Sequence, residues 1–248
     1  MPRSYTPRTV VHSFGPGPMS RAVRLLIYAN AAFFVASVFL PDVTYYLGLM
    51  PQAVVHEFRL WQPLTYMFLH AGVFHILFNM LALWMFGVEL ERLWGTAFFT
   101  RFYFVTGAGA AISTMVLALL PFDFADRLYY SVTIGASGAI YGLLLAYGLY
   151  FPNRPIYLYF FFPVPAKYFV LILGAITFLL SVNDSGGGVA HVAHLGGMVF
   201  GFAYLRLGGA RPLSELKYRY FKWKMNRHRR RFDVYSGGRA DDWDRRIH

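Results

Sequence analysis

Two residues with the chemistry of acyl transfer lie in apolar stretches of this sequence. Ser137 stands in the run TIGASGAIYG, and His194 stands in the run AHLGGMVFG. A serine hydroxyl becomes a useful nucleophile when a neutral imidazole takes its proton, and the same imidazole can then protonate the leaving group. A single serine in an apolar helix more often bonds its own backbone, and small residues beside it often serve only packing. A chemical role for Ser137 therefore depends on what the chain places near it.

His75 and Asn79 are candidate donors to a developing negative charge. They are four residues apart, so they would share one face of a helix. The tetrahedral intermediate of acyl transfer carries an oxyanion, and losing one donor to it costs about 3–4 kcal/mol. We expect both side chains, together with the backbone N–H of Ser137, to act as such donors. No acidic residue is predicted at the depth of His194, which favours a Ser–His dyad over a triad.

The composition indicates a membrane protein. Of the 248 residues, 57% are hydrophobic and 14% are charged, whereas soluble domains carry about 25% charged residues. The apolar residues fall in blocks and do not alternate, which is typical of transmembrane helices. The chain has no cysteine, which excludes disulfides, thiolate metal sites and a cysteine nucleophile.

Six apolar blocks predict six transmembrane helices, and hence an all-α polytopic bundle. The blocks cover approximately residues 23–40, 64–88, 98–120, 132–151, 167–182 and 189–205. After the fourth block, an aromatic stretch broken by Pro163 and Pro165 is too short to span, so we expect it at the membrane interface. These blocks predict a membrane domain over residues 21–205, flanked by tails over residues 1–20 and 206–248.

Basic residues predict how the bundle is oriented. Lys and Arg concentrate in the two tails and in the segments on the same side as the tails, which places both termini in the cytoplasm. The C-terminal tail combines basic with aromatic side chains. We expect it to lie on the anionic inner leaflet and do not expect a nucleic acid partner, despite the net charge of +11. The compact six-span layout suggests a bacterial inner membrane.

This topology brings the polar residues to similar depth. The second, fourth and sixth blocks would all start at the outer face. At about 1.5 Å per residue, four residues would lie in the outer half of the bilayer: His75, Asn79, Ser137 and His194. Polar side chains are costly in hydrocarbon, so a cluster at one depth is a functional hypothesis. The alternative for each residue alone is an interhelical hydrogen bond that holds the bundle together.

Small-residue stripes would let the fourth and sixth helices approach closely. The stripes are Gly135, Gly138 and Gly142 on the fourth block, and Gly197 and Gly201 on the sixth. The second stripe follows His194 at i+3 and i+7 and so shares its face, which favours contact between His194 and Ser137. Tyr141, four residues after Ser137, would place an aromatic ring one turn from the hydroxyl.

Three motifs resemble the rhomboid family of intramembrane serine proteases, over about residues 61–205. They are His75-Ile76-Leu77-Phe78-Asn79, Gly135-Ala136-Ser137-Gly138, and Ala193-His194 followed by Gly197 and Gly201. Segments resembling the family also include Glu91-Arg92 with Gly95, and residues 161–167. Each motif alone is weak, but three in the right order on the second, fourth and sixth blocks are specific.

The resemblance implies a serine endopeptidase that hydrolyses peptide bonds in or near transmembrane segments of other proteins. The implied site has Ser137 as nucleophile, His194 as base, His75, Asn79 and Gly135 at the oxyanion and substrate-binding position, and Tyr141, Gly197 and Gly201 in support. Neither a cofactor nor a metal is expected. The family often has Trp-Arg in the first loop, whereas this chain has Trp61-Gln62, which puts the role of that arginine in doubt.

Competing interpretations remain open from the sequence. His191 precedes His194 by three residues, a spacing that can also bind zinc, but it has no acidic partner of the kind a zinc protease uses. Only His194 has the glycine stripe, so we assign it the role of base, and we expect His70 to be structural. The alternative functions are an inactive rhomboid-like protein that binds transmembrane clients, and a polytopic transporter, which predicts internal repeats that are not seen.

Overall fold

The structure is a computed structural model that describes residues 15–40, 42–121, 125–158, 162–182 and 188–208. Its elements are α1 (Arg21–Phe39), α2 (Asp42–Leu47), α3 (Pro51–His56), α4 (Gln62–Thr65), a 3₁₀ turn (Tyr66–Phe68), α5 (Val73–Ala82), a π-helical segment (Leu83–Gly87), α6 (Val88–Trp94), α7 (Thr96–Ala118), α8 (Ala125–Tyr130), α9 (Ser137–Tyr150), β1 (Pro155–Leu158), β2 (Phe162–Pro165), α10 (Ala166–Val182) and α11 (Gly188–Arg206). The chain divides into two compact units, Met1–Arg206 and Leu207–His248, and all of these elements lie in the first.

Long apolar helices dominate the first unit. Among the described residues, three helices are long and apolar enough to cross a membrane: Arg21–Phe39, Val73–Trp94 and Thr96–Ala118. The second of these is continuous through α5, the π-helical segment and α6. The apolar helices over Ser137–Tyr150 and Ala166–Ser181 are shorter. The predicted fold class, an all-α polytopic membrane protein, is therefore confirmed, while the count of six spans stays a prediction.

The centre of the unit is formed where α7, α9 and α11 pack on one another. Close approach is possible because small residues line these helices. A Cβ built on Gly109 of α7 would lie 2.2 Å from the ring of Phe200, and one on Gly196 of α11 would lie 2.5 Å from the hydroxyl of Ser113. α10 packs on the outside of this group, against α9 and α11.

A buried carboxylate joins three of the helices. Glu91 of α6 is 3% exposed and accepts hydrogen bonds from the backbone N–H groups of Ala22 (2.9 Å) and Val23 (3.0 Å). It also accepts from the hydroxyls of Ser20 (2.5 Å) and Thr96 (2.7 Å). The first N–H groups of a helix lack intrahelical acceptors and carry partial positive charge. Glu91 therefore caps α1 and ties it to α6 and to the start of α7.

Replacing this carboxylate should destabilise the fold. In Glu91→Gln, one acceptor oxygen becomes an NH₂ group that faces donors, so we expect a loss of about 2–3 kcal/mol in the free energy of unfolding. Reversible unfolding in detergent micelles would measure it. Asp126→Asn, at an exposed position of α8, is the control and should change stability by no more than about 0.5 kcal/mol. Equal effects of the two substitutions would contradict the capping role of Glu91.

The loop before the second long helix contains three short helices, α2, α3 and α4. Gln62, which stands where the family often has arginine, is fully buried. Its Oε1 accepts from the backbone N–H of Met50 (3.1 Å), and its Nε2 donates to the carbonyl of Tyr46 (3.3 Å). Nearby, the Arg59 guanidinium donates to the carbonyl of Tyr45 (3.0 Å) and lies 4.3 Å from the centre of its ring. Gln62 therefore holds this loop together, at the position where the family often has arginine.

Two predicted helix bounds are wrong. The second apolar block, predicted over residues 64–88, forms its long helix over Val73–Trp94, because residues 69–72 are non-helical. The fourth apolar block is not helical from residue 132, because α9 begins at Ser137 and residues 131–135 precede it as non-helical chain. The stretch around Pro163 and Pro165 is an antiparallel hairpin in which Pro155 pairs with Pro165 and Leu158 with Phe162. Proline lacks the N–H that sheet pairing uses, so its presence in both strands concealed the hairpin from a reading of the sequence.

Candidate active site

An extended segment delivers Ser137 to the first position of α9. Thr133 forms a β-bridge with Leu49, through N–H to carbonyl bonds of 2.8 and 2.9 Å. Gly135 donates its N–H to the carbonyl of Tyr66 (2.9 Å). Its φ is +123°, a value that residues other than glycine rarely adopt. The chain therefore turns at Gly135 and enters the helix at Ser137. The N–H of a residue at a helix start has no acceptor within its own helix, so that of Ser137 is available to a ligand.

Ser137 and His194 are in direct contact. The Oγ of Ser137 lies 2.8 Å from the Nε2 of His194, and both residues are half-buried. The serine hydroxyl donates this bond when Nε2 carries no proton. Two groups of these types at this distance have the geometry of a nucleophile with its base.

Backbone proximity between α9 and α11 makes this contact possible. A Cβ built on Gly197 would lie 1.9 Å from the carbonyl oxygen of Gly138, and one built on Gly201 would lie 3.3 Å from the Cα of Gly142. A side chain at Gly197 would force the helices apart, whereas one at Gly201 would make a tight contact. The glycine stripes thus lie at the crossing of the two helices, one to two turns along from the Ser137–His194 contact.

Tyr141 fixes the plane of the His194 imidazole. The two rings are stacked, with centroids 4.1 Å apart and planes at 5°. The Tyr141 hydroxyl in turn lies 3.4 Å from the hydroxyl of Thr177 on α10. Thr177 donates its own proton to the carbonyl of Leu173 (2.8 Å), so the Tyr141 hydroxyl is the donor between the two. Because stacking limits rotation of the imidazole, Nε2 stays directed at Ser137.

The ring of His75 lies over Gly135, beside the nucleophile. A Cβ built on Gly135 would be 2.9 Å from the Nε2 of His75 and 3.6 Å from the Oγ of Ser137. The Nδ1 of His75 accepts a bond from the backbone N–H of Ala71 (3.3 Å). A neutral imidazole that accepts at Nδ1 carries its proton on Nε2. His75 therefore directs an N–H donor into the space beside Ser137.

Asn79 lies one turn further along the same helix. It is 7% exposed, and its Nδ2 donates to the carbonyl of His75 (2.9 Å). One of its two amide protons is thus used within α5. The structure places Asn79 below His75 on a shared face, as the four-residue spacing predicts, and the bond supports the turn that carries His75.

Two other histidines flank the site. His70 is 5% exposed and meets His75 edge-on, with ring centroids 4.9 Å apart. Burial lowers the pKa of His70 to about 4, helped by its neighbour His75, so the ring is neutral at physiological pH. His191 lies 6.0 Å from His194, centroid to centroid. Within the described ranges, no group of three or more His, Cys, Asp or Glu residues is arranged to hold a metal ion.

Two positioning residues were missed by the reading of the sequence. Tyr66 is buried, accepts the Gly135 N–H through its carbonyl, and donates its hydroxyl to the carbonyl of Gly107 (2.8 Å). Tyr66 therefore links the extended segment before Ser137 to α7. Thr177 is one of three hydroxyl-bearing residues in α10, and Tyr66 is one of 18 tyrosines. Neither carries a signal in the sequence, because each acts through a partner far away along the chain.

Comparison with known proteins identifies the family. Residues 57–211 match the model of the Rhomboid domain. The chain is 34% identical over 177 residues to RHOMBOID-like protein 1 of Arabidopsis thaliana, covering 70% of this chain and 40% of that protein. It is 30% identical over 157 residues to Rhomboid protease GluP of Bacillus subtilis (62% and 27%), and 31% identical over 155 residues to Rhomboid protease AarA of Providencia stuartii (57% and 53%).

The match is confined to part of each relative, since the chain spans about half or less of the length of these proteins. The matched region of this chain, residues 57–211, contains all four polar residues of the site, the two glycine stripes and the helices that carry them. A family model that covers more than half of the chain, together with long apolar helices, establishes the class. The protein is a multi-pass integral membrane protein that belongs to the rhomboid family, which includes intramembrane proteases.

Proposed function

We propose that this protein is a serine endopeptidase that cleaves peptide bonds in or near transmembrane segments of other membrane proteins. The observation that carries the proposal is the 2.8 Å contact between the Ser137 hydroxyl and the His194 Nε2, in a ring held flat on Tyr141. The relatives named as rhomboid proteases support the same reaction class. Ser137 is the nucleophile, and His194 is the base.

The proposed reaction proceeds in two transfers. The Oγ of Ser137 attacks the scissile carbonyl carbon while its proton moves to the Nε2 of His194. The resulting imidazolium gives this proton to the amine as the C–N bond breaks, which leaves an ester on Ser137. A water molecule then attacks the ester, with His194 again taking and returning the proton. The acid product leaves, and the free hydroxyl is restored.

Donors on one side of Ser137 suit the oxyanion of each tetrahedral intermediate. The Nε2 of His75 and the Oγ of Ser137 both border the space over Gly135, and the backbone N–H of Ser137 is the first of α9. The absence of a Cβ at Gly135 leaves that space open, because a methyl group there would lie 2.9 Å from His75. Asn79 contributes by holding the helical turn of His75. Preorganised donors of this kind stabilise the transition state by about 3–4 kcal/mol each.

The proposal extends to the setting of the reaction. Both termini lie in the cytoplasm, which puts Ser137 in the outer half of a bacterial inner membrane, and the basic tail over residues 206–248 contacts anionic lipid. The distribution of Lys and Arg along the sequence supports this orientation. The membrane domain covers residues 21–205 and the N-terminal tail residues 1–20. Substrates are transmembrane proteins whose helix can unwind locally, since helical carbonyls are otherwise occupied by hydrogen bonds.

A reconstituted cleavage assay tests this proposal. The purified protein in liposomes is mixed with a reporter that has one transmembrane segment, and product masses locate the cut. We expect cleavage in or next to that segment, and a loss of about 10⁴-fold in His194→Ala because the base is removed. His191→Ala should retain clearly more activity. Equal residual activity of the two variants would overturn the assignment of the base, and no cleavage by the wild type would overturn the proposed function.

A further inference from the structure

The second ring nitrogen of the proposed base is buried. The Nδ1 of His194 is buried and has no hydrogen-bond partner among the described residues. For Nε2 to accept the Ser137 proton, the neutral ring must carry its own proton on Nδ1. A buried donor left unpaired costs about 1–3 kcal/mol. Stacking on Tyr141 fixes the plane of the ring but has no effect on which nitrogen is protonated. Something must therefore stabilise the Nδ1–H form.

His191 also has a buried ring nitrogen. Its Nδ1 is also buried and without a partner in the described part of the chain. Its ring lies one turn before His194 on α11, with centroids 6.0 Å apart and planes at 68°. Two nitrogens joined through one water are about 5 Å apart, given two hydrogen bonds of about 2.8 Å. A ring separation of 6.0 Å is compatible with that span, and the half-buried position of His191 gives water a route to it.

We propose that His191 is a positioning residue that acts on the proposed dyad through one water. The Nδ1–H of His194 donates to the water, and the water donates to the Nδ1 of His191. These two hydrogen bonds give both buried nitrogens a partner and favour the tautomer of His194 that can accept a proton from Ser137. Two histidines spaced i and i+3 on α11 thus perform a task that an acid performs in a Ser–His–Asp triad. The inference rests on the proposed function, in which His194 is the base.

A matched pair of substitutions tests it. Asparagine places its Oδ1 where the Nδ1 of His191 stands, and leucine has nearly the same size and shape without an acceptor. We expect His191→Asn to keep kcat for the reporter within about threefold of wild type. His191→Leu should lose about 10–100-fold in kcat with KM within about twofold, because orienting the base affects the transition state and not substrate binding. Val199→Phe, at an exposed position of α11, should match wild type.

A measurement independent of activity separates this inference from the proposed function. Ring ¹⁵N chemical shifts, assigned by the signal missing in His194→Gln, report the tautomer of His194. We expect the Nδ1–H tautomer in wild type and in His191→Asn, and a shift toward Nε2–H in His191→Leu. His191→Met provides a second apolar variant if the leucine protein does not fold.

Two results would overturn the role of His191. One is an unchanged tautomer and kcat in the apolar variants. The other is an equal loss in His191→Asn and His191→Leu, which would indicate packing. If wild type neither cleaves the reporter nor reacts with a serine-directed probe, the proposed function fails, and the tautomer shifts still decide whether His191 sets the protonation of His194.

Discussion

Ser137→Ala is expected to lower kcat for the transmembrane reporter by about 10⁴-fold or more. The substitution removes the atom that forms the ester and leaves the base and the oxyanion donors with nothing to act on. The folded state should be nearly unaffected, because Ser137 is half-buried at the first position of α9 and its side chain makes one hydrogen bond within the described ranges, to His194. Cleavage rates in liposomes and thermal unfolding in detergent measure the two effects.

Ser113→Ala is the control for this prediction. Ser113 also lies in a long helix, where its hydroxyl donates to the carbonyl of Gly109 four residues earlier (2.9 Å). A bond of this type adds little to stability. Cleavage by Ser113→Ala should therefore stay within about threefold of wild type. If Ser137→Ala cleaves the reporter as fast as Ser113→Ala does, Ser137 is not the nucleophile.

Gly197→Ala is expected to damage both the fold and the reaction. The added methyl group would lie 1.9 Å from the carbonyl oxygen of Gly138, so α11 must move away from α9 by about 1 Å or more. Overpacking of this kind costs about 1–3 kcal/mol. Because His194 lies one turn earlier on α11, the shift also draws its Nε2 away from Ser137. A misplacement of about 1 Å lowers the rate by about 100-fold.

Gly174→Ala on α10 is a matched control for this substitution. A Cβ at Gly174 would meet only the Sδ and Cε of Met198, at 3.7 Å, which is ordinary contact. Both substitutions gain the same helix propensity, about 1 kcal/mol, so the difference between them isolates the helix crossing. Gly174→Ala should be as active as wild type and at least as stable. A Gly197→Ala protein with wild-type stability and cleavage rate would mean that α9 and α11 need not approach closely.

Helix positions were predictable where hydrophobicity alone decides them. α7, α10 and α11 begin and end within about two residues of the apolar blocks, because these helices are mostly apolar and the segments between them are not. The start of α9 was not predictable in this way. Residues 132–136 are apolar or small, yet they pair with Leu49 and Tyr66 instead of forming helix. That choice depends on partners far away along the chain, as does the hairpin of β1 and β2.

The contact between Ser137 and His194 was predictable from the sequence, because the predicted topology and the glycine spacing both favour it. Three predicted spans of the same direction would bring their polar residues to similar depth, and the glycine spacing indicates which faces of the fourth and sixth spans touch. The supporting hydrogen bonds could not be anticipated. Gln62 and Tyr66 act on backbone groups of other elements, and the edge-on contact of His70 with His75 depends on how the loop before α5 closes.

Membership of the rhomboid family bears on the two alternative functions. No observation supports the transporter hypothesis. An inactive rhomboid-like protein would bind transmembrane segments without forming an ester. It differs from the proposed protease in one chemical property, which is whether the Ser137 hydroxyl is activated. The two hypotheses therefore separate in a reaction that needs no knowledge of the natural substrate.

Covalent labelling by a fluorophosphonate probe measures that property directly. The probe phosphonylates a serine only when a base takes its proton, so the product reports nucleophile and base together. We predict one adduct per chain on the peptide that contains Ser137, no adduct in Ser137→Ala, and labelling at least about 100-fold slower in His194→Ala. An unlabelled wild-type protein, or equal labelling of wild type and Ser137→Ala, would contradict the proposed serine protease.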